Sequence, residues 1–572
     1  MLPLILRIWC VRWCVTRGEH VSLFARIKTF FLYLVFALSI LCFLFCIIFF
    51  LTFLLSSLSP LFFSNASWQP LYKEAANALN IKKILHIFLF TLKHSFLSSI
   101  LALSLGICAA FFCANRTFKL RLFLLSLSSI PLTLPAIIIS LSYILFFGNN
   151  GLFFVALDRL FNIKISSFLY SIVGIVLAQG FYNFPIAMRL IGDSWSQLSQ
   201  SQKMAATLLG AKPFFIFRSI VLPHLMPSIL SSFLLIFLFC FFSFVIVLLF
   251  GGVGSSTIEV ELYKCISYSF DFRLASSLAL EEFLFGIIIL RCYSYFRRKT
   301  NIDDKSMTLE EERVKIRGRM ERIFFIIIIF LIFFFLILPI ISVFIYSFCP
   351  PKYSYGSGSE GSYMSFRAWG NVLGARIFWQ SLFNSVYVGI LVALISSFAS
   401  VFFSYVKLFF FDRGIMEVIP FLPLITSPIM LGFGSRLLIK NGNVLILILA
   451  QSSLFWLFSY SRLQEAISGI PKNIIDSALI LSKSKIRAFF CIVLPISKKA
   501  IITGAIFVFA ISLAETSLPL ALGLEGFSTL TLLLFDYAST YRTSESAVLG
   551  IILLISSSFL FWLKDRKKVK IE

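Results

Sequence analysis

Long uninterrupted apolar runs recur along the whole chain, and they decide its fold class before any other feature does. Runs near residues 30–58, 94–114, 122–146, 165–188, 227–250 and 274–290 form one set, and 323–348, 379–405, 415–435, 444–460, 500–520 and 546–563 a second. A hydrocarbon core about 30 Å thick takes roughly 20 apolar residues per helix, so the two sets predict about twelve transmembrane helices. Strands of a membrane barrel would alternate in polarity, and these runs do not. The expected fold class is therefore an all-α polytopic membrane protein. Of 572 residues, 59% are hydrophobic and 13% charged, against about 25% charged in soluble domains. That leaves too little polar surface to cover a globule in water.

The net charge of +24 raises the question of a nucleic-acid partner, and its distribution answers it. The basic residues are scattered over separate loops between spans, which fits anionic lipid headgroups rather than a nucleic-acid groove. With the N-terminus in the cytoplasm, the loops on that side hold most of the Lys and Arg, as the positive-inside rule requires. An even number of spans then returns the C-terminus to the cytoplasm. The basic segment with Arg7, Arg12, Arg17, Arg26 and Lys28 precedes a first run much longer than the core of a signal peptide, so that run reads as a retained helix.

The mixed-charge stretch Arg291 to Arg322, with Asp303, Asp304, Glu310, Glu311 and Glu312, reads as a cytoplasmic linker between halves 1–290 and 323–572. The Gly-, Ser- and Tyr-rich segment from Pro350 to Ser365 reads as a flexible external loop. Eleven cysteines lack paired spacing, and His20, His86, His94 and His224 are scattered, so no metal or disulfide framework is legible.

The two sets of runs are copies of each other. Leu177-Ala178-Gln179 recurs as Leu449-Ala450-Gln451, an offset of 272 residues. The same offset pairs Gly251 with Gly523, Thr257 with Thr529, Leu262 with Leu534, Ser267 with Ser539 and Ala275 with Ala547. Six spans per copy give both copies one orientation, so they are parallel repeats around an axis along the membrane normal. Each copy also carries one long cytoplasmic loop between its fourth and fifth spans, at 189–226 and 461–499.

Those loops resemble the EAA signature of ABC importer permeases: EAA, three residues, Gly, nine residues, then I-x-L-P. The first reads Met204-Ala205-Ala206, Gly210, Ile220, Leu222 and Pro223; the second reads Asp476-Ser477-Ala478, Ser482, Ile492, Leu494 and Pro495, with identical spacing. The resemblance implies the type I importer permease fold. It also implies that each loop is a helix seated in a groove of a soluble ATPase. Small residues suit close seating, Gly210 can take the positive φ that ends a helix, and Pro223 favours a break before span five. Met204 stands where the family has Glu, and Ser482 where it has Gly. The first loop would then lack a capping or ion-pair contact, and the second would turn with strain.

No GxxxxGK[ST] phosphate loop occurs in the sequence. The chain is expected to bind no cofactor, with ATP and Mg belonging to a separate ATPase, as a homodimer serving both loops. The resemblance further implies an extracytoplasmic solute-binding protein, the bacterial inner membrane, and no nucleic acid. Fused six-span halves are similar to the thiamine and ferric-iron branch. The segment Thr257 to Asp271 and the segment Ser539 to Val548 look like stretches of thiamine permeases, which implies thiamine or a thiamine phosphate as the solute, while ferric iron stays open.

A secondary transporter of two parallel halves is the alternative from another class. It would use Glu281, Glu282 and Glu515 inside the membrane but leaves the paired loops unexplained. Glu515, whose repeat equivalent is Ser243, is the one residue assigned to a translocation path from sequence.

Overall fold

The computed structural model of the chain describes residues 23–62, 81–119, 121–127, 134–162, 167–198, 200–251, 256–302, 314–316, 318–349, 365–410, 419–439, 442–482 and 484–565. The N-terminal residues Arg7, Arg12, Arg17 and His20, the acidic centre of the linker and nearly all of the Gly/Ser/Tyr loop lie outside them.

The first half runs through α1 (Leu23–Phe62), α2 (Ile81–Asn115), strand β1 (Arg116–Thr117), α3 (Arg121–Leu127), α4 (Ala136–Phe147), α5 (Leu152–Phe161) and α6 (Ile172–Ser196). It continues with α7 (Gln200–Leu208), α8 (Pro213–Phe241), α9 (Val245–Phe250), α10 (Ile258–Lys264) and α11 (Phe272–Ile302). Strand β2 (Val314–Lys315) pairs in parallel with β1, Arg116 opposite Val314, and brings the linker back against the first half. The second half continues with α12 (Arg319–Ser347), α13 (Arg367–Gly374), α14 (Arg376–Phe410), a 3₁₀ segment (Ile419–Ile425), α15 (Pro428–Leu438) and α16 (Val444–Ser468). It ends with α17 (Lys472–Ser482), α18 (Lys485–Ile496), α19 (Lys498–Ala514), α20 (Ser517–Leu522), α21 (Leu530–Ser539) and α22 (Thr543–Asp565).

The chain is a polytopic all-α membrane protein, and up to ten of the about twelve expected spans are found by length and composition among the described residues. Among the described residues eight helical segments are long and apolar enough to cross a bilayer. The number is ten if each of two bent pairs, Ile419–Ile425 with α15 (88°) and α18 with α19 (73°), is one span. The remaining two expected spans, 274–290 and 546–563, fall on α11 and α22. The first part of α11 carries Arg273, Glu281 and Glu282, and the described apolar stretch of α22 is the short Thr543–Ser558. The expected span 122–146 is also corrected. Arg121–Leu127 is a separate helix, and the membrane segment starts at Ala136, directly after Pro135. A proline lacks the N–H needed inside a helix and is tolerated at its start.

Each half lends its first helix to the other. In α1, Phe36 meets Tyr405 of α14 edge-on at 5.0 Å, and Phe43 meets Phe403 of α14 and Trp456 of α16. Ser56 Oγ donates to the Gly434 carbonyl of α15 at 2.7 Å. The reciprocal contact is made by α12. Phe335 stacks on Phe181 of α6 at 4.7 Å, and its carbonyl accepts from Tyr143 Oη of α4 at 2.7 Å. Ser342 Oγ donates to the Ser142 carbonyl. The outward faces of these two helices are apolar stripes at helical spacing, Leu34, Leu38, Leu41, Phe45 and Ile48 on α1 and Ile323, Ile326, Phe330 and Phe333 on α12. In a bilayer such stripes face lipid.

The repeat offset is carried into the helix bounds: α6 and α16 begin and end 272 residues apart, and so do the starts of α7 and α17 and of α10 and α21. The prolines leave a shared mark. Pro223, Pro339 and Pro495 each lie two residues after a five-residue π segment, Phe217–Val221, Phe333–Ile337 and Phe489–Val493. In each, the next N–H bonds five residues back, as Leu222 does to the Phe217 carbonyl. A proline ring collides with the carbonyl four residues before it, and one widened turn relieves that collision without ending the helix. The break expected at Pro223 is therefore absent, and α8 runs on through it. In the second copy the chain bends after Ile496, beyond Pro495.

At Gly434 an added Cβ would collide with the Phe53 carbonyl oxygen of α1, whereas at Gly370 on α13 nothing lies within 4 Å. Gly434→Ala should destabilise the detergent-solubilised chain by about 1–3 kcal/mol through overpacking. Gly370→Ala should be neutral or slightly stabilising, as Ala is preferred in helices. Equal melting temperatures for the two variants would contradict the exchanged-helix packing.

Candidate functional site

The two long loops, within 189–226 and 461–499, are built alike in their backbones and differently in their surroundings. In the first, α7 ends in a turn that its sequence sets up. Gly210 has φ +82, Gly210 N–H donates to the Thr207 carbonyl at 2.9 Å, and Ala211 N–H to the Ala206 carbonyl at 3.0 Å. This paired 5→2 and 6→1 arrangement is a Schellman cap, and its left-handed residue carries no steric penalty only when it is glycine. Ile220 lies inside the next π segment, Leu222 closes it, and Pro223 stands just beyond.

In the second loop Ser482 is the last residue of α17, and its hydroxyl donates to the Ser484 carbonyl at 3.0 Å. It does not take a left-handed φ. The strain expected from a missing glycine is thus not seen at Ser482: the side chain turns the backbone by hydrogen bonding instead. Ile492 lies in the second π segment, Leu494 closes it and Pro495 stands next to it.

Exposure separates the residues that can meet a partner from those that cannot. On α7, Met204 and Ala205 are exposed, and the tip residues Leu208 and Leu209 are each 88% exposed. Phe214 and Phe215 add to this apolar tip. On α17, Asp476 and Ser477 are exposed, but Ala478 is 1% exposed and faces its own protein. Ile475 and Ile486 pack beneath the loop on Val401, Tyr405, Leu463 and Phe489. The apolar tip recurs at the repeat offset: Leu208 and Leu209 correspond to Ile480, 77% exposed, and Leu481.

Large apolar side chains held out on a polar loop mark an interaction surface. Sequence reasoning weighed the small residues and overlooked these four. The available signal was the apolar pair repeated at one offset.

Glu515 sits where α19 gives way to α20. Its Oε1 accepts from Ser517 N–H at 2.7 Å and Leu518 N–H at 3.1 Å, so the carboxylate caps the start of α20. Thr531 Oγ1 donates to its backbone carbonyl at 2.8 Å. Of the other two membrane glutamates, Glu282 is buried and its Oε1 accepts from Ser427 N–H at 2.9 Å, at the start of α15. Glu281, one position earlier, points elsewhere and is partly exposed. The three do not form one cluster: Glu282 reaches across to the second half and Glu281 does not. No group of three or more His, Cys, Asp or Glu able to hold a metal ion occurs among the described residues.

Comparison with known proteins agrees with this geometry. Residues 102–301, which contain the first loop, match the family described as binding-protein-dependent transport system inner membrane component. The chain is 24% identical over 523 residues to the thiamine transport system permease protein ThiP of Salmonella typhimurium, covering 88% of this chain and 91% of that protein. It is 26% identical to ThiP of Brucella abortus (strain 2308), covering 83% and 86%. With ThiP of Haemophilus influenzae the identity is 27% over 263 residues, 46% of this chain and about half (48%) of that relative.

The loop tips yield a direct test. Leu208→Asp together with Ile480→Asp places charges on side chains that touch solvent, so the fold should be unchanged. Affinity for the soluble ATPase should fall at least about tenfold, as expected for loss of apolar anchors. The readout is co-purification and titrated binding of the ATPase to the full chain. Unchanged affinity would show that the tips are not the docking surface.

Proposed function

We propose that the chain is the permease of an ABC importer for thiamine, with both transmembrane halves fused in one polypeptide. It is a multi-pass inner-membrane transport subunit of the binding-protein-dependent class. The observation that carries the reading is the pair of loops: two apolar-tipped helices in one register, in a chain aligned over most of its length with thiamine permeases.

Within that reading the parts have distinct tasks. The tips of α7 and α17 seat in two copies of an ATPase, which binds ATP and Mg itself. The π-widened helices behind them, α8 and α18, carry the movement towards the membrane. A helix with one turn of π geometry is a compliant joint rather than a break. A loaded solute-binding protein docks on the opposite side, and the halves rock about their exchanged helices to open the path alternately. Both termini lie in the cytoplasm.

The experiment is reconstitution of the full chain with its ATPase in lipid vesicles, supplied with loaded binding protein. ATP-dependent accumulation of labelled thiamine is expected, with ATPase activity stimulated by the binding protein. Accumulation of ferric iron in place of thiamine would overturn the substrate, and uptake driven by an ion gradient without ATP would overturn the class.

A further inference from the structure

Two glutamates on the same short helix have opposite surroundings. Glu261 of α10 is fully provided for: Lys83 Nζ lies 2.7 Å from it, Ser256 Oγ donates at 2.9 Å, and Lys264 Nζ is 3.8 Å away. Glu259, two positions earlier, is 1% exposed, and neither of its carboxyl oxygens has a hydrogen-bond partner. It faces the carboxyl of Glu282 and the side chain of Ser427, with Glu515 also within electrostatic reach. Glu282 is 0% exposed, and its second oxygen, Oε2, is likewise without a partner. A carboxyl buried without a partner is costly, and inside a membrane such groups mark functional sites by default.

The place is as informative as the chemistry. Glu259 and Glu282 come from the first half, Ser427 and Glu515 from the second, so the carboxyls meet where the two halves meet. We propose that Glu259, with Glu282 and Glu515, forms a cation-holding step on the path between the halves, fitted to an organic monocation rather than a bare metal ion. The size preference comes from the donor set: the three carboxyls do not close into one metal-ion coordination sphere. Glu515 and Glu282 each spend one oxygen on the start of a helix. What remains is Glu259 with both oxygens open and one oxygen of Glu282, which suits a delocalised charge carrying N–H donors. Thiamine, a thiazolium bearing an aminopyrimidine, belongs to that chemical class. This inference rests on the importer reading only for the direction of the path.

The test compares wild type, Glu259→Gln, Glu259→Asp and Glu282→Gln as full chains. Two readouts are taken: thiamine uptake by the reconstituted complex, and the melting temperature of the purified permease. A functional cation step predicts that Glu259→Gln lowers uptake roughly tenfold or more while leaving the melting temperature unchanged or raised, because a buried carboxyl without a hydrogen-bond partner is replaced by a neutral amide of the same size. Glu259→Asp should restore part of the uptake. Uptake within about twofold of wild type in Glu259→Gln and Glu282→Gln would overturn the proposal. So would lost uptake with a lowered melting temperature, which is the signature of a structural role.

A wild-type complex that binds its ATPase but moves no thiamine fails the substrate reading by itself. The cation step is then decided by thermal stabilisation with thiamine or benzamidinium, both delocalised cations that carry N–H donors. It stands if either of these raises the melting temperature of wild type but not of Glu259→Gln, and falls if neither does.

Discussion

The exchange of first helices is the constraint on which the rest of the structure depends. α1 belongs by sequence to the first half and packs on α14, α15 and α16 of the second; α12 returns the arrangement against α4 and α6. Association of helices in lipid gains little from the hydrophobic effect, so it rests on close packing and on hydrogen bonds between helices. Both are present at each crossing. Gly434 lets backbone approach backbone and accepts from Ser56, while Tyr143 and Ser342 bond across the other seam. Two halves joined only by a polar linker could drift apart. Two halves that each hold the other's first helix can rotate about the shared seam and still remain one body.

That arrangement is what the proposed transmission of force through the loops requires. α8 and α18 stand behind the loop tips; α8 is itself a spanning helix and α18 leads into α19, and each contains a single π segment ahead of a proline. Loss of one N–H in a continuous helix would otherwise leave a carbonyl unsatisfied in a low-dielectric medium. The widened turn keeps the ladder closed and concentrates bending in one place. Beyond the proline the copies differ: α8 continues to Phe241, whereas the chain bends 73° between α18 and α19. The same motif thus supports a straight lever in one half and a cranked one in the other.

Much of this was legible in the sequence, and the reasons for the rest are specific. The offset of 272 residues needed only identical residues to be seen, and Gly210 needed only its place after a short helix. The span boundaries were obscured by prolines inside apolar runs. Pro135 sets the start of α4, and Pro420, Pro423 and Pro428 belong to the 3₁₀ segment and the bend before α15. Hydropathy alone treats each such run as continuous. The exchange of α1 and α12 leaves no periodic signal, because a helix facing lipid on one side and protein on the other is apolar all round. The inward turn of Ala478 was hidden for another reason: small residues suit both a docking face and a buried one, and only tertiary contacts choose.

Fusion of the copies also permits an asymmetry that a symmetric dimer could not have. At the repeat offset Glu259 corresponds to Thr531, Glu282 to Leu554 and Glu515 to Ser243. Identical halves would bring six carboxyls to the seam, with like charges opposed at close range in a medium that screens them poorly. Duplication followed by divergence leaves three, none with an acidic counterpart in the other copy, with Thr531 now bonding the Glu515 backbone in the place of a fourth acid. A single, unduplicated group of carboxyls matches a substrate with one positive charge and no internal symmetry. In the proposed cation step, the neutral residues at the equivalent positions of the opposite copy count as much towards selectivity as the acids.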